Sequence, residues 1–384
     1  MSWKKVLLVV AALVLMFALV GCGDDGAVDV VDNDVASEDG LKIAIVTSPS
    51  GVDDGSFNEN NYDGILAFIA NNPSATVTDI RETDPNPDAA VAAVEAIVAD
   101  YDVIVTPGFQ FGGITDIARA NPDTKFILVD AFPADPEDPF GDPVVLDNVY
   151  AMQFAEQESG FFAGIAAAMQ TETNKVAFVG GMAFPAVVNY QFGFDSGVNY
   201  ANKHLGTNAE LIEIASFAGT DVTDTNVGGN YVGAFDNEAD GKKVAEALLA
   251  EGADVLFVAA GGSGNGAFTA VKEAGNAWVI GCDVDQFNDG VNGDDNIVLT
   301  SALKVMDINV ERQLNAIANG TFKGGNYLLQ ADTDSTGFVY TVGQHQLSDE
   351  AMDALNAAYK AVQEGTIVPP GNFSDTNSDD FLGL

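Results

Sequence analysis

The sequence has few cysteines, few histidines and few bases, and each shortage excludes something. Two cysteines in 384 residues cannot build a disulfide framework, so a hydrophobic core must supply the stability. Two histidines, His204 and His345, lie outside the motif turns and lack a metal-ligand partner at helical spacing, which argues against a metal or acid–base centre. There are 15 Lys and Arg against 57 Asp and Glu, with no basic cluster, so a nucleic-acid partner is excluded. No G-x-x-x-x-G-K-[ST] loop is present. The longest apolar run, Val6 to Val20, has fifteen residues, short of the roughly 20 that span a bilayer.

That run follows Lys4 and Lys5, as a signal-peptide core does. It ends in Leu19-Val20-Gly21-Cys22, which resembles the lipobox of bacterial lipoproteins. Residues 1–21 are therefore expected to be a signal peptide and Cys22 a lipidated N-terminus. An ordinary signal peptide or N-terminal anchor with a chance cysteine is the alternative. Residues 22–40 are acidic and Gly- and Ser-containing without a sustained period, and read as a flexible tether. With Cys22 acylated, Cys282 is left as a free thiol in a buried strand. Loss of Lys4 and Lys5 takes the formal charge from −42 to −44. Hydrophobic residues make up 47 %, too many for a disordered chain, so the acids coat a folded body adapted to salt.

Beyond residue 40, continuous apolar runs alternate with helical stretches. LKIAIVT (41–47), DVIVT (102–106), KFILVD (125–130), KVAFV (175–179) and DVLFVA (254–259) are such runs. Runs of this kind suit parallel strands buried on both faces. Two βα series in succession predict an α/β protein with two doubly wound lobes. Ligands of such sheets sit outside the carboxyl ends of the strands, so the segments after each strand are the candidates. There the sequence places carboxylates, amides, aromatics and glycines, a set suited to a polyol bearing a flat ring.

The segments DDGSFNENNYDG (53–64), KVAFVGGMAFP (175–185), GADVLFVAAGGSGNGAF (252–268), WVIGCDVDQ (278–286) and VLTSALK (298–304) resemble the basic membrane protein family. These are lipoproteins of the purine nucleoside receptor type, ABC transporter substrate-binding proteins with a type I periplasmic-binding fold. The likeness runs in order from about residue 41 to 365. It implies two Rossmann-like lobes joined by a multi-strand hinge, one of residues 41–152 and 300–324 and the other of 153–299 and 325–384. It also implies a purine nucleoside as ligand, permease and ATPase subunits as partners, a lipid-anchored monomer outside the cytoplasm, no cofactor, no metal and no catalysis. It departs from the family at Gly55, where a basic residue is common, and in an enlarged loop from Phe287 to Asn296.

Carried over residue by residue, the resemblance assigns Asp53 to the purine, Asn58 as its helper, and Tyr62 to stacking. Asp130 becomes a second base-reading carboxylate and Tyr190 the other side of the sandwich. Asp283 receives the ribose hydroxyls with Lys304 nearby, and Gly261-Gly262 offers bare backbone to the sugar. Each has a plainer reading. Asp53, and more so Asp54, suits a helix cap, and Asp130 a strand-end turn. Tyr62 and Tyr190 suit the core, Lys304 an ion pair, and Phe109 and Phe111 lobe packing. Asp283 has the fewest structural alternatives.

Other functions stay open on residues alone. GSGNGA (262–267) fits a dinucleotide fingerprint with Asp283 downstream, although it lies late in the chain. A nucleoside-processing enzyme would need carboxylates around a cation. The acidic stretch Asp285–Asp295 lacks the EF-hand pattern for calcium. A sugar-binding or sensory receptor of the same fold is the closer alternative.

Overall fold

A computed structural model of the protein describes residues 40–139, 141–372, 374 and 381. The expected signal segment, Cys22 and all but the last residue of the tether lie outside the described residues.

The first sheet contains β1 (Lys42–Thr47), β2 (Thr76–Arg81), β3 (Val103–Pro107), β4 (Lys125–Val129) and β5 (Val149–Phe154). A late strand, β15 (Gly325–Leu329), pairs with β5 at the edge, giving the order β15-β5-β4-β3-β1-β2, all parallel. Inner strands such as β3 are buried along their whole length, as their unbroken apolar runs require. Edge strand β2, TVTDIR, alternates instead and is largely exposed. Helices α1 (Phe57–Asn71) and α8 (Met306–Ala318) cover one face, and α2 (Pro87–Ile97) and α3 (Thr115–Ala120) the other.

The second sheet is built from β6 (Lys175–Gly180), β7 (Glu210–Leu211), β10 (Val255–Ala259), β11 (Trp278–Asp283), β14 (Val298–Lys304) and β16 (Thr336–Phe338). Its order is β16-β14-β11-β10-β6-β7, with only β16 antiparallel. Short ribbons, β8 (Gly219–Thr220) with β9 (Asn226–Gly228) and β12 (Val291–Asn292) with β13 (Asp295–Asn296), decorate it. Helices α4 (Glu156–Gln170), α5 (Pro185–His204) and α9 (Asp349–Gln363) pack on one face, and α6 (Glu238–Ala250) and α7 (Gly264–Ala274) on the other.

Helices α4 and α5 meet through glycines. A Cβ at Gly164 would stand 2.1 Å from the Phe194 carbonyl, and one at Gly197 2.1 Å from that of Phe161. The backbones therefore touch, and this contact sets where α5 holds its side chains.

The strand memberships differ from the expected partition. Residues 300–304 belong to β14 in the second sheet, and 325–329 form β15 in the first. The chain thus passes between the sheets at Ala155, at Val305 and again just after Leu329. A buried parallel strand reads the same in either sheet, so local pattern could not assign these two.

Candidate ligand-binding site

The carboxyl ends of both sheets face one cleft of about 920 Å³, open mouth included. Its first wall is built at the ends of β1, β3 and β4 and the start of α1. Asp54, two residues before α1's cap at Ser56, accepts from the backbone N–H groups of Ser56 (3.1 Å), Asn58 (3.0 Å) and Glu59 (3.1 Å). It satisfies free amides of the first helical turn and so anchors that turn at the carboxyl end of the sheet. Burial pushes its carboxyl up, against the pull of these donors. Asn58 gives its amide hydrogens to Asp54 Oδ2 (2.9 Å) and Ser48 Oγ (3.1 Å), which leaves Asn58 Oδ1 buried without a protein partner.

Asp130 follows β4 and Asp283 ends β11, and both adopt left-handed backbone, at φ 62° and 67°. Such conformations are uncommon outside glycine and gather at functional sites. Asp283 stands half-buried in the cleft and accepts the Tyr190 hydroxyl at 2.9 Å. Burial raises its pKa to about 6, with Lys304 opposing and Asp130 reinforcing the shift.

Lys304 closes β14 and is only 2 % exposed. Its ammonium lies 2.5 Å from Asp130 Oδ2 and 3.0 Å from Glu156 Oε1. The rings of Phe57, Phe154 and Tyr190 surround it at 5.0, 5.4 and 6.0 Å from their centroids. Burial pulls its pKa down, but Asp130, Glu156 and Asp283 outweigh that and hold it well above the usual lysine range. Asp130 Oδ1 remains buried and unpartnered, and burial pushes that carboxyl up despite Lys304.

The sequence-predicted residues separate accordingly. Asn58, Asp130, Tyr190, Gly261, Asp283 and Lys304 line the cleft. Asp53 does not: it is exposed, and Asp54 takes the cleft position. Tyr62 packs beside the first sheet's core with Val52 and Phe57, and Phe57 is the α1 aromatic in the cleft. Gly262 lies behind the lining, close under the Phe235 carbonyl. Of the two phenylalanines expected in packing, Phe111 is fully buried core, whereas Phe109 lines the cleft. It begins a row of rings, 5.7 Å from Phe184, which is 5.8 Å from Phe235.

Asp54, Phe57, Phe184 and Phe235 escaped the sequence reading as cleft residues, as did Glu156 behind them. The first turn of a helix lies nearest the strand ends, and that rule would have favoured Phe57 over Tyr62, which lies a turn further in. No local signal marks Phe235, which comes from an irregular stretch. Cys282 is a free, buried thiol at the end of β11, as expected. Among the described residues no three His, Cys, Asp or Glu side chains converge as a metal site, and no helix is long and apolar enough to cross a membrane.

Comparison with known proteins agrees with this architecture. The family described as ABC transporter substrate-binding protein PnrA-like matches residues 41–216 and 222–370. A CD4+ T-cell-stimulating antigen of Listeria monocytogenes is 30 % identical over 346 residues, covering 85 % of this chain and 87 % of its own. The ABC transporter nucleoside-binding protein BmpA of Lactococcus lactis is 28 % identical over 345 residues, covering 86 % and 89 %. Among solved structures, an ABC transporter solute-binding protein from Aeropyrum pernix superposes with a TM-score of 0.71 at 22 % identity, over 87 % of this chain and 94 % of that one. One from Conexibacter woesei gives 0.61 at 21 %, over 87 % and 100 %. The shared architecture is the type I periplasmic-binding fold.

Proposed function

The chain belongs to the family of PnrA-like ABC transporter substrate-binding proteins, and on that premise we propose that it closes on a purine nucleoside and delivers it to an importer. The family consists of transport proteins that bind rather than transform. The nucleoside reading draws on a 28 % identical relative named as nucleoside-binding, and on the chemistry of the cleft.

The observation that carries it is the pairing, in one cleft, of aromatic rings with acceptors that lack protein partners. Phe57, Phe109, Phe184 and Phe235 bring rings to the cleft, apolar surface suited to a flat base. Asn58 Oδ1 and Asp130 Oδ1 are buried acceptors without donors, each costing about 1–3 kcal/mol if left so. The amino and hydroxyl hydrogens of a nucleoside would meet that need. Asp283 is assigned to the ribose, as are Lys304 and the Gly261 turn. Asp54, Asn58 and Asp130 are assigned to the base. Five carboxylates line the cleft (Asp54, Glu82, Asp84, Asp130 and Asp283) and Lys304 is the one basic side chain there, already engaged by two acids. A phosphorylated ligand would be repelled.

The lobes on this reading are residues 41–154 with 306–329, and 156–304 with 331–370. Residues 1–21 serve as the signal, Cys22 carries the lipid, and residues 23–40 tether the body. Intact mass of membrane-extracted protein should show loss of residues 1–21 plus acyl chains. An unmodified Cys22 in the native host would refute the anchor.

Calorimetric titration with adenosine, guanosine, inosine, adenine and ribose tests the ligand. Asp283→Ala should weaken nucleosides by about one to two powers of ten, because hydrogen bonds to a charged group contribute roughly 1.5–3 kcal/mol. The free base should be little affected. Ribose binding above every nucleoside would indicate a sugar receptor, and turnover of a nucleoside an enzyme.

A further inference from the structure

Glu156 does not line the cleft, yet it is 2 % exposed and sits at the heart of the charge cluster. It is the first residue of α4, where the chain first passes from one sheet to the other. Its Oε1 lies 3.0 Å from Lys304, which stands at the second passage. Its Oε2 accepts from Asn189 Nδ2 at 2.9 Å. Asn189 Oδ1 in turn accepts the Asn372 backbone N–H at 2.6 Å, so the donor end of that amide must face Glu156. Both carboxylate oxygens are therefore committed, one to a charge and one to a locked amide.

The helix carrying Glu156 is fixed just as firmly. Glu158 Oε2 accepts from the Ala331 N–H (2.8 Å) and the Thr336 hydroxyl (2.6 Å), at the third passage. Ser159 donates to the Leu303 carbonyl at 2.7 Å and accepts from the Gly337 N–H at 2.9 Å. The first turn of α4 thus joins all three passages.

We propose that Glu156 is a positioning residue of the ligand site, acting through Lys304 to keep Asp283 available to the ligand. The inference rests on the nucleoside reading and assigns a role to a residue that never touches the nucleoside. Three carboxylates surround a single ammonium: Asp130 after β4, Glu156 on α4 and Asp283 on β11. Tyr190 on α5, the Cys282 thiol and, on the Asp283 side, Asp54 are the other titratable neighbours. Asp130 and Glu156 take the ammonium, and Asp283 takes the Tyr190 hydroxyl instead. If Glu156 loses its charge, the ammonium is drawn toward Asp283 and competes there with ribose hydroxyls. Burial places the Glu156 pKa at about 7, so the same loss follows mild acidification. Binding then favours ionised Glu156, and affinity rises with pH through that range.

The test is calorimetry at pH 8 with adenosine and adenine on wild type, Glu156→Gln, Asp283→Asn and the double variant. Glu156→Gln should weaken adenosine about tenfold and adenine less than about twofold, the scale of one charge-assisted hydrogen bond. In the Asp283→Asn background the Glu156 effect should vanish, because the two act on one another. Wild-type affinity for adenosine should fall from pH 8 to pH 6.5, and Glu156→Gln should lose most of that dependence, keeping only the shallow onset of Asp283 titration at about 6. Equal weakening of adenosine and adenine, additive losses, or a flat wild-type profile would each overturn the assignment while leaving the nucleoside reading intact. A wild type that binds neither adenosine, guanosine nor inosine would overturn that reading and this assignment with it. Should Glu156→Gln not fold, Asn189→Ala loosens the same carboxylate from its other side, and unchanged adenosine binding there would count against the proposal.

Discussion

Tyr190 donates its hydroxyl hydrogen to Asp283 Oδ1 at 2.9 Å, so a side chain of α5 fixes the carboxylate that ends β11. The bond is possible because α5 lies backbone-to-backbone on α4: a Cβ at Gly160 would stand 2.3 Å from the Tyr190 carbonyl. Tyr190 is therefore both the core residue and the cleft residue that the sequence left as alternatives, with its ring buried and its hydroxyl on the site.

Removing that hydroxyl should act on titration as well as on affinity. The Tyr190 bond lowers the Asp283 pKa, which stands at about 6, so Tyr190→Phe should raise it. If ribose hydroxyls need ionised Asp283, adenosine affinity falls as pH drops through that value, and in Tyr190→Phe the fall begins at higher pH. At pH 8 the variant should bind only a few-fold more weakly. Calorimetry at several pH values checks both, and an unshifted profile would separate Tyr190 from the charge of Asp283.

Phe57 and Tyr62 sit in the same helix and should fail differently. Phe57 lines the cleft, and losing a stacked ring typically costs on the order of 1–3 kcal/mol per base. Phe57→Ala should weaken adenosine and adenine alike. Tyr62 packs against the core of the first sheet, so Tyr62→Ala should lower the melting temperature with little change in affinity. Affinity lost at Tyr62 and kept at Phe57 would return the stacking role to Tyr62.

How much of this was legible depended on whether the information was local. The unbroken apolar runs of β1, β3, β4, β6 and β10 marked buried parallel strands, and Asp130 and Asp283 were visible as carboxylates that end strands. The sheet to which β14 and β15 belong was not legible, because pairing partners far away in sequence decide it. Asp53 and Asp54 are adjacent acids in one turn, and only the backbone's path says which one turns inward. Glu156 was not legible, because no strand end or motif turn in the sequence singles it out. It is an acid in a helix's first turn, which normally reads as favourable placement at the positive end of the dipole and nothing more.

The contact between α4 and α5 should be intolerant of one carbon. Gly164→Ala places a Cβ 2.1 Å from the Phe194 carbonyl oxygen and 2.9 Å from the Gly197 Cα, so backbone itself would have to shift. Overpacking typically costs 1–3 kcal/mol and here forces the helices apart. Thermal unfolding should show a clear drop in melting temperature. Adenosine affinity should fall too, because Tyr190 rides on the displaced helix. An unchanged melting temperature would mean that the two helices slide freely.

Salt should stabilise the fold through its surface. The chain carries a formal charge of −42, and loss of Lys4 and Lys5 would make it −44. Among the described residues the exposed ion pairs, such as Arg119 with Asp116 and Lys242 with Glu273, engage only a few of the acids. The remaining like charges are closer together in the compact state than in the unfolded chain, so their repulsion weighs against folding. The screening length shortens from roughly 10 Å at 0.1 M to about 3 Å at 1 M salt, below the usual spacing of surface charges. The buried cluster around Lys304 is shielded from solvent and should respond much less. The melting temperature should therefore climb steadily from low to molar sodium chloride, while adenosine affinity at fixed pH changes little. A flat or falling melting curve would show that cations already neutralise the acidic surface at low salt.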